Sequence, residues 1–332
     1  MKKSKKAVRR PSPPKRKPAK KAKTAARKAA PKVIKEYLNP HFGYFYTWDK
    51  VLAQAKTKFQ ELKVVKTPEF GKVLLLDGIT QVGEKHEFLY HEPMVHPALL
   101  AHPDPESVCI IGGGDGGIAR EVLKHPSVRR VDQVDLDGDV YAFSEKHLPS
   151  VSGGAFRDPR LKKITAEGRG WIEKSRGQYD VVIMDMTDPF GPAKMLYTRE
   201  YFEAVKASFK DPLKGLFTMH AESPISRPRT FNSILQTLGL VFHHVSPFYL
   251  YIQMYAVQWC VAVSSDHWDL GEIAPDVVDE KIRLRRLYNL QVVNGATFRA
   301  MQAEFPYVSA IRARKAKLLT DHSPDVEDVI GN

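Results

Sequence analysis

Two apolar runs of the 332-residue chain end abruptly in glycine and aspartate: Ser107-Val-Cys-Ile-Ile-Gly112-Gly-Gly114-Asp115-Gly-Gly117 and Tyr179-Asp-Val-Val-Ile-Met-Asp185-Met186-Thr187-Asp188-Pro-Phe-Gly-Pro192. Buried parallel strands read this way when their C-terminal ends deliver side chains to a ligand crevice. Gly112, Gly114 and Gly117 keep G-x-G-x-x-G spacing between a strand and a helix, with the acid Asp135 further on, a pattern that serves a dinucleotide or an adenosyl group. Asp115 separates the two. A pyrophosphate would sit on the loop amides and the helix N-terminus, where a neighbouring carboxylate repels it, whereas an adenosyl sulfonium is cationic and has no phosphate.

Asp135 ends the second strand and is placed for ribose hydroxyls; its plainer role is a helix cap. Glu167-Gly168, past the third strand, either meets an adenine edge or opens a helix. Asp185 and Asp188 both follow a buried strand, and with Asp115 they would make an anionic pocket suited to a diamine. Otherwise one of them caps a helix and the other is solvated. No His or Cys spacing supports a metal site, so none is expected. His91 reads equally as a ligand contact and as a core residue of its helix. Gln60 taken alone is an exposed strand residue.

The elements that must position these groups alternate. Strands are expected at 107–111, 130–135, 161–164, 180–185, 215–220 and 257–264, and helices over 117–124, 140–147, around Trp171, over 202–209 and over 231–238. That order implies an α/β fold with a doubly wound, mostly parallel sheet. Before it, Phe59 to Val65 and Lys72 to Leu76 read as strands of a small N-terminal antiparallel β domain, followed by a helix with Phe88, His91, Val95 and Leu99 at helical spacing. The expected division is a basic tail over 1–32, a β domain with its connecting helix over 33–100, a catalytic domain over 101–265, and a charged helical extension with a polar tail over 266–332.

The net charge of +13 belongs to the tail. Residues 1–32 hold 11 Lys and 4 Arg and no acid, which leaves 36 basic against 38 acidic side chains in the rest. Such a tail cannot bury enough apolar surface to order itself and is expected to be disordered, serving as a solubiliser or as a non-specific contact for nucleic acid. Cys109 and Cys260 sit in apolar runs and are expected to be reduced packing residues. No run is long enough to span a bilayer and no signal peptide opens the chain, so a soluble cytoplasmic protein is expected.

From about Tyr37 to Ser265 the chain resembles the polyamine aminopropyltransferases, the spermidine synthase family. The matching segments are Leu76-Asp-Gly-Ile-Thr-Gln81, Glu87-Phe-Leu-Tyr90-His91-Glu92, Ile111-Gly-Gly-Gly-Asp115-Gly-Gly, Asp158-Pro-Arg160 and Asp185-Met186-Thr187-Asp188-Pro-Phe-Gly-Pro192. The resemblance implies a Rossmann-like catalytic domain of the S-adenosyl-dependent transferase type and a homodimer or homotetramer assembled through the β domain. It also implies decarboxylated S-adenosylmethionine as co-substrate, with no prosthetic group.

By that resemblance Asp185 is the catalytic base, and Tyr90, His91, Asp115, Met186, Thr187 and Asp188 meet the polyamine. Gln60, Gln81, Gly112, Gly114, Asp135, Glu167, Gly168 and Pro192 fall on the nucleoside side. The implied reaction moves an aminopropyl group to putrescine, giving spermidine and 5′-methylthioadenosine. Alternatives are transfer to a longer polyamine, an S-adenosylmethionine-dependent N-methyltransferase, and a polyamine- or nucleic-acid-binding protein without catalysis. The chain departs from the family pattern at Asp135 (commonly Glu), Glu167 (Asp), His86 (Asp) and the Tyr-Ile-Gln-Met-Tyr255 stretch, which leaves the acceptor amine open.

Overall fold

The structure is a computed structural model that describes residues 31–328. The expectations for the basic tail therefore lie almost wholly outside the described residues. A hairpin of β1 (Lys32–Asn39) and β2 (Phe42–Trp48) leads into a four-stranded antiparallel sheet of β3 (Lys50–Lys56), β4 (Glu61–Thr67), β5 (Gly71–Leu76) and β6 (Ile79–Gly83). Asp77 and Gly78 join β5 to β6 with φ of 48° and 84°. That two-residue turn needs positive φ at both positions, which Asp-Gly accepts at low cost.

The second sheet has β7 (Ser107–Gly112), β8 (Arg130–Asp135), β9 (Leu161–Thr165), β10 (Val181–Asp185), β11 (Leu216–His220), β12 (His244–Ile252) and β13 (Val257–Ser265), in the spatial order β12-β13-β11-β10-β7-β8-β9. From β9 to β11 neighbouring strands are parallel, and β13 and β12 close the edge antiparallel. This is the doubly wound, mostly parallel architecture expected. The strand order reverses between β7 and β10, which opens a crevice beyond their C-terminal ends. Cys109 and Cys260 are buried and unpaired.

Two regions differ from the sequence reading. β12 carries Pro247 and ends the sheet, where a missing ladder N–H is tolerated; the same proline hides the strand in the sequence. After Asp266 the chain forms three short helices, Pro275–Leu284, Gly295–Met301 and Pro306–Arg312, in place of one long helical stretch. Pro275 and Pro306 sit at helix starts, where the lost N–H costs nothing. No helix among the described residues is long and apolar enough to cross a membrane.

Helix Phe88–Ala101 is the internal axle. All residues from His91 to Ala101 are buried, so it packs on every side and shows little amphipathic contrast. Its free C-terminal carbonyls are satisfied from outside: Lys281 donates to Leu100 O at 2.6 Å, and Arg285 donates to Leu99 O, His102 O and Pro103 O. Midway along it, the buried Glu92 carboxylate accepts the backbone N–H groups of Gln291, Val292 and Val293 at 2.7 to 3.1 Å. The C-terminal extension is therefore held by charge-assisted hydrogen bonds to the same helix that carries Tyr90 and His91.

Candidate active site

A cavity of about 980 Å³ lies between the N-terminal strands and the C-terminal ends of β7, β8 and β10. Asp115, Asp185 and Asp188 all line it, as do Gln60, Gln81, Tyr90, His91, Gly114, Asp135, Glu167, Gly168, Met186, Thr187 and Pro192. Gly112 stands behind the wall. It pairs with Asp185 across β7 and β10 at φ 85°, and a Cβ there would overlap the Asp185 carbonyl. Its hydrogen atom lets the two strand ends approach, and Gly113 N–H then donates to Asp185 O at 3.0 Å.

At the end of β10, Asp185 Oδ1 accepts a hydrogen bond from the Tyr90 hydroxyl at 2.6 Å. Burial, then the Asp115 charge, push the Asp185 carboxyl up to about 6, against the His91 cation and the Tyr90 hydrogen bond, which favour the anion. Asp115 Oδ1 accepts from Gly117 N–H at 2.7 Å and stands 3.6 Å from His91 Nε2, while His91 Nδ1 meets Glu87.

Burial alone would lower the His91 imidazole, but Asp115 and then Glu87 overcome it and raise the group to about 10. His91 is thus an imidazolium clamped between two carboxylates, only 1% exposed, and it fixes the orientation of Asp115. A carbon at Gly117 Cα would strike its ring, which gives that glycine a packing reason beyond the loop motif. Proton and nitrogen NMR of the imidazole should show a protonated ring throughout pH 6 to about 9. Glu87→Gln should bring its titration to lower pH; a ring that already titrates near its ordinary value in the wild type would refute the clamp.

Asp135 at the end of β8 accepts Asp137 N–H at 2.9 Å. Burial, with the charges of Asp137, Asp185 and Asp115, pushes its carboxyl up to about 6. Glu167 lines the cavity, and its oxygens accept Arg169 N–H at 2.8 Å and Gly170 N–H at 2.6 Å, capping helix Gly168–Lys174. Gln60 reaches the site through Asp137, to which its Nε2 donates at 2.9 Å beside the Thr57 hydroxyl at 2.7 Å.

Asp137 was not legible as a site residue, although it stands two residues past Asp135. Buried at 3% exposure, it ties the N-terminal β sheet to the end of β8.

Further residues not assigned to the site from the sequence also belong to it or back it. Glu36 of β1 lines the cavity and accepts hydrogen bonds from Thr80 N–H at 2.7 Å, from the Thr80 hydroxyl and from the Tyr44 hydroxyl at 3.2 Å. Burial raises its carboxyl. Tyr255 donates to Gln81 O at 3.0 Å and crosses Tyr90 edge to face. His220, whose Nε2 lies 2.9 Å from the Tyr197 hydroxyl and 2.8 Å from Met186 O, backs the loop after β10. It ends β11 as a polar residue after a mostly apolar run, the same signal that marked Asp185. Arg227 lines the far end and pairs with Asp188. No cluster of metal-ligating side chains occurs among the described residues.

Residues 87–270 match the model of the spermine/spermidine synthase domain, and residues 32–84 match that of the spermidine synthase tetramerisation domain. The polyamine aminopropyltransferase of Nitrosomonas europaea is 35% identical over 286 residues, 86% of this chain and 87% of that one. Polyamine aminopropyltransferase 1 of Aquifex aeolicus is 43% identical over 214 residues, 64% of this chain and 75% of that one. Among solved structures, a spermidine synthase in complex with the transition state analogue AdoDATO superposes with a TM-score of 0.78 at 31% identity, covering 86% of this chain and 98% of the other. The spermidine synthase of Thermotoga maritima gives 0.77 at 30% identity, covering 86% and 97%.

Proposed function

Since the chain belongs to the spermine/spermidine synthase family, the polyamine aminopropyltransferases, we propose that it transfers the aminopropyl group of decarboxylated S-adenosylmethionine to one amine of a diamine such as putrescine. The observation that carries this reading is the pairing of Asp185 with Asp115 and Tyr90 in one cavity whose opposite side offers Asp135, Gln60 and Gly168 to a nucleoside. An S-adenosyl donor that still carried its carboxylate would meet Asp115, and this favours the decarboxylated form.

The chemistry is an in-line displacement. An alkyl ammonium with a pKa of about 10 must lose a proton before its nitrogen can attack, so Asp185 accepts that proton and aims the lone pair at the carbon beside the sulfonium. The new C–N bond forms as the C–S bond breaks, and the electron pair leaves with sulfur as neutral 5′-methylthioadenosine. Holding both reactants in line contributes more than basicity does, roughly 7 kcal/mol or more for well-aligned pairs. Asp115, kept in place by His91, and Glu36 across the cavity supply negative charge for the ammonium that does not react.

A base works only when unprotonated. The acidic limb of kcat/KM should therefore have its midpoint at about 6, activity rising with pH through it. Tyr90→Phe removes a donor that favours the Asp185 anion, so the limb should move to higher pH; an unmoved limb would assign it to another group.

Assembly through residues 32–84 is part of the same proposal, supported by the match to a tetramerisation model and by Val33, Tyr37, Phe42 and Phe45, which leave large apolar surfaces exposed on β1 and β2.

The decisive experiment incubates the full chain with decarboxylated S-adenosylmethionine and putrescine, cadaverine, agmatine, spermidine or norspermidine, and identifies products by mass. A product heavier by one aminopropyl group, with methylthioadenosine released, is expected. Methyl transfer from S-adenosylmethionine, or no turnover with any amine, would overturn the reading.

A further inference from the structure

The amine end of the cavity contains a cation that the chemistry of a polyamine pocket does not call for. Arg227 follows the loop after β11, is only 4% exposed, and turns its guanidinium into the cavity wall. One nitrogen, Nη1, is shared by Asp188 and by Glu222 Oε2 at 2.9 Å, and Nε donates to Leu38 O at 2.8 Å. Three acceptors from three segments hold the group, and Asn39 Nδ2 fastens the same hairpin to Ser226 O at 3.2 Å. A guanidinium stays charged at any working pH. Asp188, the carboxylate best placed by sequence to receive a distal ammonium, is thereby already neutralised.

Glu222 adds nothing to the anionic lining. It is wholly buried at φ 66°, and burial, with the Asp188 charge close by, pushes its carboxyl above the ordinary range. Around this end Glu222 Oε1, His220 Nδ1 and Trp259 Nε1 are buried without a hydrogen-bond partner, so the polar capacity of the wall exceeds what the protein itself satisfies. The charge therefore divides along the cavity. Asp115 and Asp185 are left to receive cations, whereas at the other end Asp188 is held by the guanidinium and Glu36, near enough to Asp188 to feel its charge, is engaged by Thr80 and Tyr44.

We propose that Arg227 limits the acceptor to a diamine, because its guanidinium occupies the position, and holds the carboxylate, that the far ammonium of a triamine would need. This rests on the aminopropyl-transfer reading and deepens it. A diamine places one nitrogen at Asp185 and its other charge toward Asp115, short of Arg227. A triamine carries a further ammonium toward a carboxylate that the guanidinium already holds, so that it must compete with Arg227 for Asp188.

The test compares kcat/KM for spermidine with kcat/KM for putrescine in the wild type, in Arg227→Met, which keeps the length and removes the charge, and in Arg227→Lys, which keeps the charge. Arg227→Met combined with Glu222→Gln also removes the partner that a lone substitution would strand, so one folded variant is available if the other fails; circular dichroism and a thermal melt report folding.

The wild type should favour putrescine. The neutral variants should raise the spermidine-to-putrescine ratio about tenfold or more, equivalent to about 1.4 kcal/mol, mainly through a lower KM for spermidine. The lysine variant should keep the wild-type ratio. An unchanged ratio in a folded neutral variant, or a wild type that already favours spermidine, overturns the proposal while aminopropyl transfer stands. Absence of methylthioadenosine release with every amine sinks the transfer reading itself and the inference with it.

Discussion

Asp185→Asn should lower kcat by about 10² to 10⁴-fold while leaving nucleoside binding intact. The substitution keeps size and shape, and an amide oxygen still accepts the Tyr90 hydroxyl that now bonds Oδ1 at 2.6 Å. It removes the one group that combines a raised carboxyl with a position at the switch point of the sheet, so the attacking ammonium has nowhere to leave its proton. The proposed nucleoside contacts at Asp135, Asp137 and Gln60 are hydrogen-bonded to one another and not to this carboxylate. Turnover followed by methylthioadenosine release, and methylthioadenosine affinity by calorimetry, separate the two effects. Near-normal kcat would remove Asp185 from the base role; a parallel collapse of affinity would recast it as a structural residue.

Glu92→Ala should destabilise the protein by about 3 kcal/mol and release the C-terminal extension. One buried carboxylate satisfies three successive backbone N–H groups, and of these Val293 is buried and Val292 half-buried, so water cannot replace the lost acceptor freely. A stranded buried donor costs roughly 1 to 3 kcal/mol. Glu92→Gln retains an acceptor and should cost less. Hydrogen exchange over 285–301 should accelerate in the alanine variant ahead of the parallel strands, with a lowered melting temperature. Exchange in that segment that matches the wild type would show that the extension is held by its packing alone.

Glu92 also marks where the sequence stopped being informative. In the run Glu87-Phe-Leu-Tyr90-His91-Glu92, Tyr90 and His91 enter the cavity, whereas Glu92 turns the other way to receive a loop some 200 positions later, a partner no local spacing announces. Strands β7, β10 and β11 were legible as short, mostly apolar runs closed by Gly, Asp or His, and β8 and β9, which are of mixed polarity, by their place in the alternation with helices; the site was legible because the strand closures converge at one edge of the sheet. Glu36 and Arg227 were not: one sits on an alternating strand of mixed polarity, and the other is a basic residue before a proline, which by composition belongs on a surface. Their places depend on the hairpin folding over the ends of β10 and β11, a tertiary fact. β12 was lost to its own proline, and the extension to charge patterning that does not distinguish three short helices from one.

Strand β1 has two faces that cannot be adjusted independently. Glu36 looks inward to Thr80 and Tyr44, and its neighbour Tyr37, 64% exposed, looks outward. A register or tilt imposed on the outer face is transmitted rigidly to the inner carboxylate, and through Leu38 to the guanidinium behind it. The proposed assembly face and a wall of the cavity therefore share one strand, so a contact that shifted the outside of this ribbon would shift the inner carboxylate with it.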